Sequence, residues 1–93
     1  MSEYERPMGE YKFLVLGLVA QEPRQKSHIV SAISDAKGLK KMLVETSTRQ
    51  AVKGLAESGL IKEDPSVGNG TILFSATEIG VNELERQRKL RAI

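Results

Sequence analysis

Apolar residues recur with helical spacing early in the chain. Tyr11, Leu14, Val15, Leu18 and Val19 fall at i, i+3, i+4, i+7 and i+8, and Phe13 and Leu16 widen that face. The pattern predicts a helix over residues 8–21, central in the core and stopped by Pro23. A second, shorter helix is predicted from Ser27 to Ala36, with Ser27 as its N-cap, Ile29, Val30 and Ile33 turned inward, and Gly38 as its C-terminal stop. From Leu39 to Val44, apolar residues surround Lys40 and Lys41 in a pattern that fits either a helical turn or a short strand. A third helix follows, with Thr46 and Ser47 as candidate N-caps, Ala51, Val52, Leu55 and Ala56 as its apolar stripe, and Gly59 at its end.

Beyond Gly59 the period changes. Leu60–Glu63 and Thr71–Ser75 are short apolar runs separated by a cluster of Asp, Pro, Gly and Asn, the signature of a β-hairpin with a flexible tip. Thr77 then caps a last helix, with Glu78 near its positive end and Arg86, Arg88, Lys89 and Arg91 near its negative end. The order helix, helix, helix, hairpin, helix predicts an α+β fold, a winged helix-turn-helix. The domain is expected over residues 8–93, and the polar residues 1–7 are expected to be a flexible lead.

Composition narrows the functional classes. Ninety-three residues make one domain, with a core too small to be very stable without a partner. Cysteine is absent, which removes disulfides, thiol catalysis and cysteine-ligated zinc. No apolar run approaches the ~20 residues needed to span a bilayer, and the polar start is no signal peptide, so a cytoplasmic protein is expected. Fourteen Lys and Arg against twelve Asp and Glu leave a net charge of +2, so the placement of charge matters more than its sum. His28 is the single histidine and reads as an exposed polar residue. No carboxylate pair, phosphate loop or nucleophile motif stands out, and neither an enzyme nor a cofactor or small-molecule ligand is expected.

In a winged helix-turn-helix the third helix offers its outer face to the major groove of double-stranded DNA. The period here places Ser47, Thr48, Arg49, Gln50, Lys53 and Gly54 outward on a recognition helix over about residues 47–59. Arg49 has the donors for guanine O6 and N7, and Gln50 matches adenine N6 and N7. Ser47 and Thr48, placed near the helix N-terminus, are candidate phosphate ligands through hydroxyls and amides, and Lys53 suits a base edge or a phosphate. Gly54 reads equally as a point of close backbone approach or as packing against a neighbouring helix. Lys37, Lys40 and Lys41, with Arg24 and Lys26, are either phosphate contacts or solvated charges. The hairpin tip carries no basic residue, which leaves Lys62 at its base and Asn69 at its apex as the candidate wing contacts.

The segment Leu14-Val15-Leu16-Gly17-Leu18-Val19-Ala20 resembles the opening helix of PadR-like regulators. Residues 47–61, ending Leu55-Ala56-Glu57-Ser58-Gly59-Leu60-Ile61, are similar to the recognition helix of PadR-like and MarR-like proteins and its turn into the wing. Thr77-Glu78-Ile79-Gly80 matches the Thr-x-x-Gly that often opens the helix after the wing. The resemblance implies a transcriptional regulator that binds a palindromic operator as a homodimer. Partner contact is expected from the first and last helices, with Tyr4, Met8, Tyr11, Leu84, Leu90 and Ile93 as candidates, of which Tyr11 and Leu84 read better as intrachain core. The neutral wing and small net charge support an alternative, a winged helix used for protein contact or as a subunit of a larger nucleic-acid assembly.

Overall fold

A computed structural model describes residues 8–65 and 70–91, so the lead 1–7 and the hairpin tip 66–69 lie outside the described residues. Four helices and three strands follow in the order α1 (Glu10–Gln21), β1 (Arg24–Gln25), α2 (Lys26–Lys37), α3 (Lys41–Glu57), β2 (Ile61–Pro65), β3 (Ile72–Ala76) and α4 (Glu78–Arg91). The strands form one antiparallel sheet, ordered β1-β3-β2. The expected α+β arrangement of three helices, a hairpin and a last helix is what the chain adopts. No described helix is long and apolar enough to cross a membrane.

Apolar residues from every helix and from the hairpin meet in one core. Val15, Leu16 and Val19 of α1, Ile29, Val30 and Ile33 of α2, and Val44, Ala51, Val52 and Leu55 of α3 are buried there with Ile61, Phe74 and Leu84. Within α1 the fully inward line is Val15-Leu16-Val19, while Tyr11, Leu14 and Leu18 are only half-buried. Apolar side chains surround this helix, so spacing alone does not fix which of them turn furthest in.

Two helix boundaries differ from the sequence expectation. Helix α2 starts at Lys26 with Gln25 as its N-cap, so Ser27 is inside the first turn and not the cap. Helix α3 starts at Lys41, and Lys40 is its N-cap, so Thr46 and Ser47 lie within the helix. The stretch Leu39–Val44 resolves as the turn into α3 and its first residues. Gly38, at φ 66°, lets the chain reverse after α2: its N–H donates to the Asp35 carbonyl, and the Leu39 N–H donates to the Ser34 carbonyl at 3.1 Å. Only Val44 of that stretch turns into the core, which is why its pattern is ambiguous.

Strand β1 has no counterpart in the sequence expectation. Two residues carry no readable period, and Arg24 and Gln25 become a strand by pairing with Phe74 and Leu73 across the sheet. The pairing fixes Arg24 at the end of α1, where its Nε donates to the Leu18 carbonyl at 2.9 Å and its Nη2 to Gln21 Oε1 at 3.0 Å. Helix C-terminal carbonyls lack partners of their own, and a guanidinium satisfies them while opposing the helix dipole.

Helix α4 is held at both ends. At its start, Thr77 Oγ1 accepts from the Gly80 N–H at 3.0 Å, as a cap should, and donates to the Gly59 carbonyl at 2.7 Å. The Thr77 N–H also donates to the Leu60 carbonyl at 3.0 Å. Gly80 lies so close that a Cβ there would stand 1.9 Å from the Leu60 oxygen. The Thr-x-x-Gly spacing therefore has a physical reason: the threonine caps the helix and the glycine lets it touch the turn after α3.

Farther along α4, buried Gln87 accepts from the Met8 N–H at 2.9 Å and donates to Glu83 at 2.7 Å, and Arg86 pairs with Glu83 at 2.6 Å. The Arg86 hydrogen bond holds the Glu83 carboxyl below its ordinary pKa, against the opposing effect of desolvation, with Gln87 and the Arg86 charge adding to the lowering. Arg91 donates to the Met8 carbonyl at 3.0 Å and lies 4.0 Å over the Phe13 ring, so the terminal arginine clamps α4 to α1.

The Gly80 contact is tested by Gly80→Ala. Because backbone must move to admit the methyl, the substitution should lower unfolding free energy by ~3 kcal/mol in urea denaturation, well beyond the ~1 kcal/mol expected for removing the Thr77 cap. A Gly80→Ala protein as stable as the parent would contradict the close approach.

Candidate nucleic-acid interface

Burial of one face of α3 determines what the opposite face presents. With Val44, Thr48, Ala51, Val52 and Leu55 inward, the 3.6-residue period turns Met42, Thr46, Arg49 and Lys53 outward, and all four are exposed. Gln50 is exposed on the flank nearer α1, where with Ser47 it lines an open cleft against Gly9–Lys12. Arg49, Gln50 and Lys53 are thus brought together on one solvent-facing surface.

The earlier start of α3 changes the reading of its hydroxyls. Thr48 is 0% exposed, and its Oγ1 has no hydrogen-bond partner in the core, so it is no ligand for phosphate. Ser47 is half-buried, and the amides of both residues belong to the helix interior and not to its free N-terminus. The free N-terminal amides belong instead to the residues just after Lys40. There, Lys40 and Lys41 are both exposed, with no side-chain cap and no acidic residue in the first turn. The start of α2 is similar, with Lys26 exposed and no acidic first turn. Cations at the positive end of a helix dipole oppose the dipole, and an anion bound there would relieve both. Lys26, Ser27 and Ser31 of α2 face Lys41 and Glu45 of α3 across an open groove of about 510 Å³.

Sequence reasoning missed two outward residues of α3, Met42 and Thr46. Met42 is 74% exposed, an uncommon setting for a large apolar side chain. Extending the helix back from Arg49 by seven and three residues would have found both. Glu45 was also passed over: its carboxylate holds the Arg49 guanidinium at 2.9 Å. Both partners are more than half exposed, and such i,i+4 pairs contribute only ~0.3–0.5 kcal/mol, so the arginine is easily surrendered to a stronger acceptor.

The remaining basic candidates divide cleanly. Arg24 is committed to α1, and Lys37 is committed to Glu10 at 3.0 Å and to the Tyr11 ring at 5.1 Å. Lys62 is exposed on β2, but Glu63 and Asp64 follow it and are exposed too, so the described part of the hairpin is more acidic than basic. Asn69 lies outside the described residues, as do Tyr4 and Ile93. A Cβ on Gly54 would meet the end of the Lys12 side chain, 2.9 Å from its Cε, so within the fold this glycine makes room for a lysine from the neighbouring helix. His28 is exposed and within 3.0 Å of the Gln25 amide, and no group of His, Cys, Asp and Glu among the described residues could hold a metal ion.

No protein-family model matches this chain, and no curated protein sequence matches it. Solved structures do. A point mutant of ZitR from Lactococcus lactis superposes with a TM-score of 0.72 at 19% identity, over 99% of this chain and 58% of that one. The transcriptional regulator BldR from Sulfolobus solfataricus gives 0.73 at 15%, over 91% and 56%. RosR of H. salinarum gives 0.76 at 14%, over 90% and 74%. The chain thus spans under three fifths of the ZitR and BldR structures it matches. At these identities the likeness is one of architecture alone: the chain has the winged-helix fold, and the resemblance to PadR-like and MarR-like domains is approximate.

Proposed function

We propose that this protein is a transcriptional regulator that binds double-stranded DNA, with α3 as the recognition helix in the major groove. The observation that carries the reading is the outward line Met42-Thr46-Arg49-Lys53, flanked by Gln50, on a helix whose inner face is locked into the core. Arg49 suits guanine, Gln50 suits adenine, and the Met42 side chain and Thr46 methyl suit the thymine methyl group. Lys40 and Lys41, at the capless start of α3, and Lys26 at the start of α2 take backbone phosphate. The wing contributes little, because Glu63 and Asp64 repel phosphate where Lys62 would attract it.

The functional unit in this reading is a homodimer on a two-fold operator. Support comes from the α1–α4 groove, where Phe13, Leu14 and Leu18 remain half-buried around Gly17. A Cβ added at Gly17 meets nothing within 4 Å beyond its own helix backbone, so the position is open toward a partner. Sedimentation equilibrium should therefore give a dimer for the parent protein and a folded monomer for Gly17→Arg. A monomeric parent would contradict the dimer.

DNA binding is tested by fluorescence anisotropy on a labelled mixed-sequence duplex at several salt concentrations. Affinity should fall steeply with salt, with a log–log slope of about −0.9 per phosphate neutralised. Arg49→Ala with Lys53→Ala should weaken binding by about tenfold or more while leaving the melting temperature within a degree or two, since both residues are exposed. Unchanged affinity in that folded variant removes α3 from the interface. Absence of binding by the parent at low salt favours the protein-contact reading, which the acidic hairpin strand also supports.

A further inference from the structure

We propose that Lys12, on α1, is a phosphate-binding residue of the α3 interface, and that Gly54 is the positioning residue that sets it there; the inference rests on α3 being the DNA-reading helix. Lys12 continues the inward line of α1, three, four and seven residues before Val15, Leu16 and Val19. That line packs against α3, so Lys12, though exposed, leaves α1 toward α3 with its end beside Gly54. A lysine in such a position extends its apolar stem along the neighbouring helix and keeps the ammonium in water.

The facing position on α3 is what makes room for the stem. A Cβ at Gly54 would lie 2.9 Å from Lys12 Cε and 3.1 Å from Nζ, so the absent side chain is the notch through which the lysine crosses. Glycine inside a helix is unfavourable relative to alanine, and Gly54 stands in the last turn of the 17-residue α3. At Gly54 that cost has a geometric counterpart: the ammonium is delivered to the α1 flank of α3, the same flank that carries Gln50. Among the described residues Lys12 has no ion-pair partner, in contrast to Lys37 on the neighbouring helix.

The geometry of a groove supplies the role. A helix with its side chains, about 10–12 Å across, fills a major groove ~12 Å wide, so a phosphate strand runs along each side of it. Lys26 and Lys41 stand on the α2 side of α3. Lys12 is the cation on the α1 side, and with it the helix meets both strands.

The test compares the parent protein with Lys12→Gln, Gly54→Ala and the double variant, in salt-dependent anisotropy on one duplex with melting temperatures taken alongside. Lys12→Gln should reduce the log–log salt slope by about 0.9 for each Lys12 at the DNA, which is roughly an eightfold loss of affinity at 0.1 M salt, with melting unchanged. Gly54→Ala should fold at least as stably, because only the flexible end of Lys12 has to move, and should weaken binding in the same direction. In the Lys12→Gln background Gly54→Ala should add nothing. A parent-like salt slope in Lys12→Gln, with Arg49→Ala and Lys53→Ala still damaging, overturns this inference and leaves the role of α3 intact. An equal loss from Gly54→Ala in both backgrounds overturns the positioning role and makes Gly54 itself the point of approach. Failure of the parent to bind removes the reading of α3 and this inference together.

Discussion

The fixed roll of α3 about its own axis is the constraint on which the rest of this molecule depends. Val44, Ala51, Val52 and Leu55 are each at most 5% exposed, packed against α1 on one side and α2 on the other. Rotation of the helix by one residue one way would carry Arg49 and Lys53 toward that core and bury charge, and the other way would bury Gln50 and leave Gly54 where Leu55 fills the core. The packed interior therefore admits one orientation, and the outward line Met42-Thr46-Arg49-Lys53 is its consequence. Even Thr48, whose hydroxyl lacks a partner, is held inward by its neighbours.

Charge is divided between holding the fold and facing outward. Arg24, Lys37, Arg86 and Arg91 are engaged by carbonyls, carboxylates or aromatic rings of the chain itself. Lys12, Lys26, Lys40, Lys41 and Lys53 have no ion pair among the described residues, and they cluster on α3 and the helix ends beside it. A net charge of +2 conceals this separation. Glu45 holds Arg49, on the same helix, only in a weak, exposed pair.

Much of this was legible in the sequence, and the failures have physical causes. Helices with one-sided stripes, such as α2, and the Thr77-x-x-Gly80 turn could be read from spacing, and the element order then implied the winged helix. The start of α3 could not, because Met42 and Leu43 are apolar yet exposed, and so break the rule that apolar residues mark the inward face. That error moved the helix N-terminus by about two turns and made Thr48 look like a ligand. Strand β1 exists only through pairing with β3, a tertiary effect with no local signal. Lys12 was invisible for a related reason: its meaning depends on the notch at Gly54, far along the chain.

The most direct test of the orientation of α3 is a backbone NMR titration with duplex DNA, mapping amide shifts onto the sequence. The account predicts that the largest changes fall on Lys26, on Lys40 to Lys53 at the outward positions, and on Lys12, with the α1–α4 groove around Gly17 unaffected. Shifts concentrated on the α1–α4 groove or the hairpin, with α3 silent, would contradict it.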